Sequence, residues 1–291
     1  IMKVAGFTFI RNAVKYDYPI IEAITSILPI CDEFIVALGN SDDETQALIS
    51  AINSPKIKII HTIWDDTLRE GGKVLAVETD KAMDAISKDV DWCFYIQGDE
   101  VVHEKYLPVI KKAMEDNLKK SHIDGLLFKY EHFFGSYEYL GDAPDWYRRE
   151  IRIIRKDSTI RSYRDAQGFR KSNQKLNVAL INAYIYHYGW VKNPSFQKEK
   201  IKSFSKLWHN DTWIESNIPE VEMFDYSFIK SLKQFTGTHP AVMQHRVKNQ
   251  NWKFVYDLSK KNLSLKNTFK SVIEKYTGWR VGEYKNYKIR S

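Results

Sequence analysis

The first 115 residues or so alternate four times between a short apolar run and a segment of helical periodicity, and few architectures accept that rhythm. Residues 3–10, 33–38, 56–63 and 92–96 read as buried strands, being strand-length runs rich in β-branched and aromatic side chains. Between them Ile20, Ile21, Ile24, Ile27 and Leu28 recur at helical spacing. So do Leu48, Ala51 and Ile52, then Leu75, Ala82, Met83 and Ile86, and finally Leu107, Ile110, Ala113 and Met114. Ser41 and Glu44 are spaced as a capping box for the second helix. The alternation predicts an α/β, Rossmann-like, mostly parallel sheet with helices on both faces, because parallel strands need long crossovers.

From about Asp124 the pattern changes. Residues 125–130, 150–155 and 179–188 read as further strands, with an aromatic loop (Phe133, Phe134, Tyr137, Tyr139, Trp146, Tyr147) between the first two. Beyond Pro194 the chain reads as mainly helical. The expected organisation is a ligand-binding half over 2–120, a second half of the same unit over 121–195, and a helical extension over 196–291.

A composition of 43% hydrophobic and 28% charged residues is that of a soluble globular chain. No window approaches the ~18 apolar residues of a membrane span, and no secretory leader is expected. Cys31 and Cys93 sit among apolar neighbours and read as buried free thiols, which suits a reducing cytoplasm. The net charge of +7 comes from basic residues scattered among acids, so no nucleic-acid partner is expected.

In a parallel sheet, ligands bind at the carboxyl ends of the strands. Those ends here read Arg11-Asn12, Gly39-Asn40-Ser41-Asp42-Asp43, Trp64-Asp65-Asp66 and Gln97-Gly98-Asp99-Glu100. Adjacent carboxylates repel each other and call for a cation or a donor-rich partner. Asp42-Asp43 also suits a helix-capping turn. Asp99-Glu100 follows the most apolar strand, and Gly98 admits a ligand close to the backbone.

These residues resemble the nucleotide-binding half of family 2 glycosyltransferases of bacterial type. Asn12 resembles that family's opening loop, Ser41-Asp42-Asp43-Glu44-Thr45 its Ser-x-Asp-x-Thr turn, and Gly72, Ala76 and Ala82 its Gly-x-x-x-Ala helix. Gln97-Gly98-Asp99-Glu100 stands in the place of the Asp-x-Asp motif. The resemblance implies a GT-A fold and a nucleotide-sugar co-substrate contacted by Phe9, Arg11, Asn12, Asp43, Lys73, Gln97, Gly98 and Asp99. It implies a divalent cation, Mn²⁺ or Mg²⁺, at Asp99, Glu100 and His187; for His187 a hydrogen-bonded core role is equally open. The chain departs from the pattern at Leu38 and Gly39, where paired acids are usual, and at Gln97, an amide in place of the first acid.

The segments 162–170 and 187–191 are similar to ones in a bacterial branch of these enzymes. Asp165 is the candidate base for an inverting transfer, with Glu131 and Asp145 as rivals; pairing with Arg161, Arg164 or Arg170 is its structural alternative. The aromatics of 133–147 and 208–213 suit sugar faces or ordinary packing. The expected activity is hexosyl transfer to a glycan or lipid-linked hydroxyl in cell-surface polysaccharide assembly. The alternative is a non-catalytic GT-A-like module that binds a glycan or a partner. A nucleotidyltransferase is disfavoured, since Phe9-Ile10-Arg11-Asn12 lacks the glycine-rich loop a triphosphate needs. Lysines 260, 261, 266, 270 and 275 suit a solvated helix face or contact with the inner face of an anionic membrane.

Overall fold

Strands β1 (Val4–Ile10), β2 (Glu33–Gly39), β3 (Ile57–Thr62) and β4 (Trp92–Tyr95) lie parallel in the order β3-β2-β1-β4. They are joined by helices α1 (Ile20–Ile27), α2 (Thr45–Ser50) and α3 (Lys73–Asp84). The structure is a computed structural model describing residues 1–218, 223–259 and 262–290. The period of two along each strand divides the core between the two faces. Val4, Phe34, Trp92 and Phe94 pack with Ile20 and Ile24 of α1, while Ala5, Phe7, Ile35, Cys93 and Tyr95 pack with Val74, Leu75 and Met83 of α3. Burying each of the larger side chains contributes about 1.5–3 kcal/mol, so a strand covered on both faces is fixed in register.

Chain segment β5 (Glu100–Val102) and helix α4 (Leu107–Asn117) lead into the second half. There β6 (Gly125–Phe134), β7 (Tyr139–Gly141), β8 (Arg149–Arg155), β9 (Ile160–Tyr163), β10 (Gly168–Lys171) and the 17-residue β11 (Gln174–Trp190) continue the sheet. Strand β8 runs antiparallel between β4 and β6, and β6 pairs parallel with β11. The result is a mixed α/β architecture, parallel through its first half.

The remaining elements are α5 (Pro194–Ser205), α6 (Asp211–Asn217), β12 (Leu232–Gln234), α7 (Gln244–Lys248), α8 (Leu265–Thr277) and β13 (Tyr287–Ile289). Two of them are strands, which helical periodicity does not foretell: β12 pairs with β7 and β13 with β11. The aromatic stretch after β6 is largely core, since Phe134 and Tyr139 pack with Tyr226, Ile229 and Leu232. The expected Ser41/Glu44 capping box does not form. Asp43 stands closer to the helix start and accepts from Thr45 N at 3.0 Å, while Ser41 Oγ is taken by Asn12 N at 3.0 Å. Both cysteines are free and buried. Among the described residues no helix is long and apolar enough to cross a membrane.

Candidate active site

The carboxyl ends of β1 to β4 open into a cavity of about 690 Å³, walled on the far side by α5 and by the segment from Tyr147 to Arg152. Phe9, Arg11, Asn12, Gln97, Gly98, Asp99, Asp165 and His187 all line it. Lys73 does not; it lines a smaller neighbouring hollow of about 390 Å³ that shares Asp165 and Gln167 with the larger one. Asp43 stays outside both, its carboxylate spent on Thr45 and on Lys15 N at 2.8 Å, as the capping-turn alternative has it.

Asn12 is buried in the left-handed region (φ 56°), and its Oδ1 accepts from Asp42 N at 2.9 Å. An asparagine tolerates that backbone because its short polar side chain bonds locally, and here it clasps the ends of β1 and β2 together. Arg11 reaches Asp66 at 2.8 Å and lies over the Trp64 ring. Phe9 packs between Trp64 and Tyr95. Arg11 Nε, Trp64 Nε1, Gln197 Oε1 and Glu150 Oε2 are buried lining atoms with no protein partner. Buried polar atoms in native walls are usually answered by water or by a ligand.

The Asp99-Glu100 pair is divided where the turn at Gly98-Asp99 meets β5. Glu100 opens β5, and its carboxylate is held by Arg152, by Tyr130 Oη at 2.7 Å and by Gln97 N at 3.1 Å. Asp99 faces the cavity. Its Oδ2 lies 3.1 Å from Lys200 Nζ of α5 and 3.7 Å from His187 Nε2. Burial pushes Asp99 up, but Lys200 and then His187 outweigh it and hold the carboxyl well below the usual range. Lys200 Nζ also donates to Gly189 O at 2.9 Å and stands over the Tyr18 ring. Nearby Lys192 is buried, donating to Asp17 O at 2.5 Å; burial, reinforced by Lys200, pushes its ammonium down to about 7.

His187 is oriented by a relay. His132 Nε2 donates to Tyr147 O at 2.8 Å, and burial, aided by His187, holds His132 neutral. Its Nδ1 therefore accepts from His187 Nδ1 at 3.1 Å, which turns His187 Nε2 toward Asp99. Gly189 keeps this corner open: a Cβ there would stand 2.6 Å from Asp99 Oδ2 and 2.7 Å from His187 Nε2. The three groups Asp99, Glu100 and His187 do not assemble as a divalent-cation set. Glu100 is committed to Arg152, and an ammonium already sits on Asp99. Among the described residues no group of three or more His, Cys, Asp or Glu converges to hold an ion.

No protein-family model matches the chain, and no curated protein matches it in sequence. Solved structures with a similar course include residues 1–349 of TarS from S. aureus in complex with UDP, at 16% identity and a TM-score of 0.41, covering 76% of this chain and 68% of that one. Another is glucosyl-3-phosphoglycerate synthase from Mycobacterium tuberculosis with Mn²⁺, UDP and phosphoglyceric acid, at 20% identity and 0.30, covering 45% and 43%. A third is 4-diphosphocytidyl-2C-methyl-D-erythritol synthase from Anaerococcus prevotii, at 11% and 0.40, covering 66% and 92%. The chain spans 39% of the longer S. aureus TarS structure.

Asp165 lines both hollows, and none of the three candidate arginines pairs with it. Arg161 is bound to Asp84, Arg170 donates to Asn286 O at 3.2 Å, and Arg164 lies over the Tyr163 and Tyr284 rings. Burial raises its carboxyl above the ordinary value, against backbone N–H groups and Arg164. Of the rivals, Asp145 pairs with Lys230 at 2.5 Å and Glu131 lies near Lys233 and Lys105; neither lines the cavity. Two residues that sequence reasoning missed do. One is Lys200. The other is Glu150, buried at the start of β8, whose carboxyl is pushed up to about 8 by burial, with Arg152 opposing and Glu100 and Asp165 adding to the rise.

Proposed function

We propose that the chain is a glycosyltransferase that moves a sugar from a nucleoside-diphosphate donor to a hydroxyl acceptor. The observation that carries this reading is one cavity at the carboxyl ends of four parallel strands, where Asp99 meets the partly buried Lys200 ammonium of α5 and where Asp165, free of any arginine and raised, stands in the wall. In this reading Phe9 and Trp64 offer faces to the base, and Arg11, Asn12, Gln97 and the Gly98 backbone take the ribose and diphosphate. Asp165 accepts the acceptor's proton as its oxygen attacks the anomeric carbon. The bond to the diphosphate breaks with its electron pair leaving on the diphosphate oxygen, a single inverting displacement. Lys200 stands where a divalent ion would meet Asp99, and its ammonium supplies the positive charge that the departing diphosphate needs.

A thermal-shift titration with UDP, GDP, CDP and dTDP tests the reading. One nucleotide should raise the melting temperature, and Asp99→Ala should lose that rise while remaining folded. Release of nucleoside diphosphate from the matching nucleotide sugar, in the presence of an acceptor, separates the transferase from a non-catalytic binding module. If no nucleotide stabilises the chain, the donor site is not one.

A further inference from the structure

Helix α8 is amphipathic and stands the wrong way round for a helix packed on its own protein. Ser264 caps its start, accepting from Asn267 N at 3.3 Å, and Gly278 ends it in the left-handed region (φ +69°). At 100° per residue, Leu265, Phe269, Val272 and Tyr276 fall on one narrow stripe. That stripe faces solvent: Leu265 is 92% exposed, Phe269 67% and Tyr276 80%, with Trp279 just beyond it at 59%. The opposite stripe is polar and turned inward. Asn267, Ser271 and Glu274 lie there, Ser271 Oγ is buried, and Glu274 accepts from Arg148 at 3.1 Å and from Arg280 at 2.7 Å. The helix is thus fastened by ion pairs and shows its apolar side to the outside.

We propose that α8 docks in the plane of an anionic membrane surface, its apolar stripe in the acyl boundary. Charge selects this occupant. Lys266 and Lys275 fall on the two flanks of the stripe, where ammonium groups reach headgroup phosphates while Leu265, Phe269, Val272 and Tyr276 enter the lipid. Trp279 stands beside the stripe at the end of the helix, and an amphipathic ring of that kind suits the interface. Of the tail lysines named from sequence, Lys260 and Lys261 lie outside the described residues. Because Arg148 and Arg280 clamp α8 to the segment carrying Tyr147 of the cavity wall, docking would present that segment toward the lipid.

Co-sedimentation of the full chain with vesicles of phosphatidylcholine, alone or with phosphatidylglycerol added, tests it. The chain should pellet with the mixed vesicles and stay in solution with the neutral ones. Phe269→Gln should weaken partitioning about tenfold or more, and Lys266→Gln and Lys275→Gln about fivefold each. All three positions are exposed or lie on the rim, so circular dichroism and melting should match the parent. Failure to pellet with mixed vesicles would overturn the proposal. So would Phe269→Gln binding like the parent. A stable dimer that Phe269→Gln splits, with no vesicle binding, would also overturn it and give the stripe to a second copy of the chain.

Discussion

Arg152 grips Glu100 in the protein interior with two bonds, Nε to Oε2 at 2.8 Å and Nη2 to Oε1 at 2.7 Å, and neither side chain is more than 1% exposed. Arg152 also lines the cavity, while Glu100 lies behind that lining. Tyr130 and the Gln97 backbone complete the carboxylate's partners, so the loop from Gln97 to Glu100 is anchored from below and Asp99 is aimed from above.

Removing one member of this pair leaves an uncompensated charge in a dry place. Glu100→Ala should cost about 3–5 kcal/mol, read as a shift in urea midpoint, because Arg152 is then stranded. Replacing both residues with Met should destabilise less than the single change does. If Glu100→Ala melts like the parent, the pair is not the anchor described.

Lys200 should be the cation on which diphosphate binding depends. Lys200→Ala is expected to weaken binding of the stabilising nucleoside diphosphate about 10- to 100-fold in EDTA, the range for a lost charge-assisted bond. Parent affinity should be the same in EDTA and in MnCl₂, and Lys200→Arg should keep most of it. Binding that appears only with Mn²⁺ and ignores Lys200→Ala would give the role back to a metal ion.

Much of this was legible in the sequence and some was not, for identifiable reasons. Strands β1, β2 and β4 announce themselves because both faces are covered, so their apolar runs are unbroken. Strands β12 and β13 have three residues each, too few to show a period. Asp99 and Glu100 look equivalent as neighbours, yet Asp99 lies in a turn that faces the cavity while Glu100 opens β5 and meets Arg152. Glu150 sits in the run Arg148-Arg149-Glu150, which reads as solvated surface, and only the register of β8 between β4 and β6 places its carboxyl indoors. Lys200 is one of several lysines on α5, and nothing local distinguishes it.

Glu150 gives a pH signature with a definite sign. Its carboxyl titrates near 8 in the fold and near the ordinary 4.5 when unfolded. Between those values the native state keeps a proton that the unfolded chain has lost, so this group removes stability as pH rises from about 4.5 to 8, and the loss is complete above that. Glu150→Gln cannot ionise. It should be about as stable as the parent at pH 4 and more stable at pH 9 by at least about 1 kcal/mol, since each tenfold change in proton affinity between the folded and unfolded states is worth about 1.4 kcal/mol. Denaturant melts at the two pH values measure this; an equal difference at both would show that Glu150 titrates in the fold as it does in the unfolded chain.

Gly189 offers the sharpest separation of site from scaffold. It lies in β11, carries no positive φ, and needs no glycine for its backbone. What it lacks is room: a methyl group would press on Asp99 Oδ2 at 2.6 Å and His187 Nε2 at 2.7 Å, and neither can retreat easily. Asp99 is tied to Lys200 and His187 to His132. Gly189→Ala should therefore cost about 1–3 kcal/mol in stability, as overpacking does, and abolish the nucleotide-induced thermal shift. The effect should be local, leaving the circular dichroism spectrum unchanged. A Gly189→Ala protein that still binds nucleotide at parent affinity would mean that the diphosphate does not use this corner.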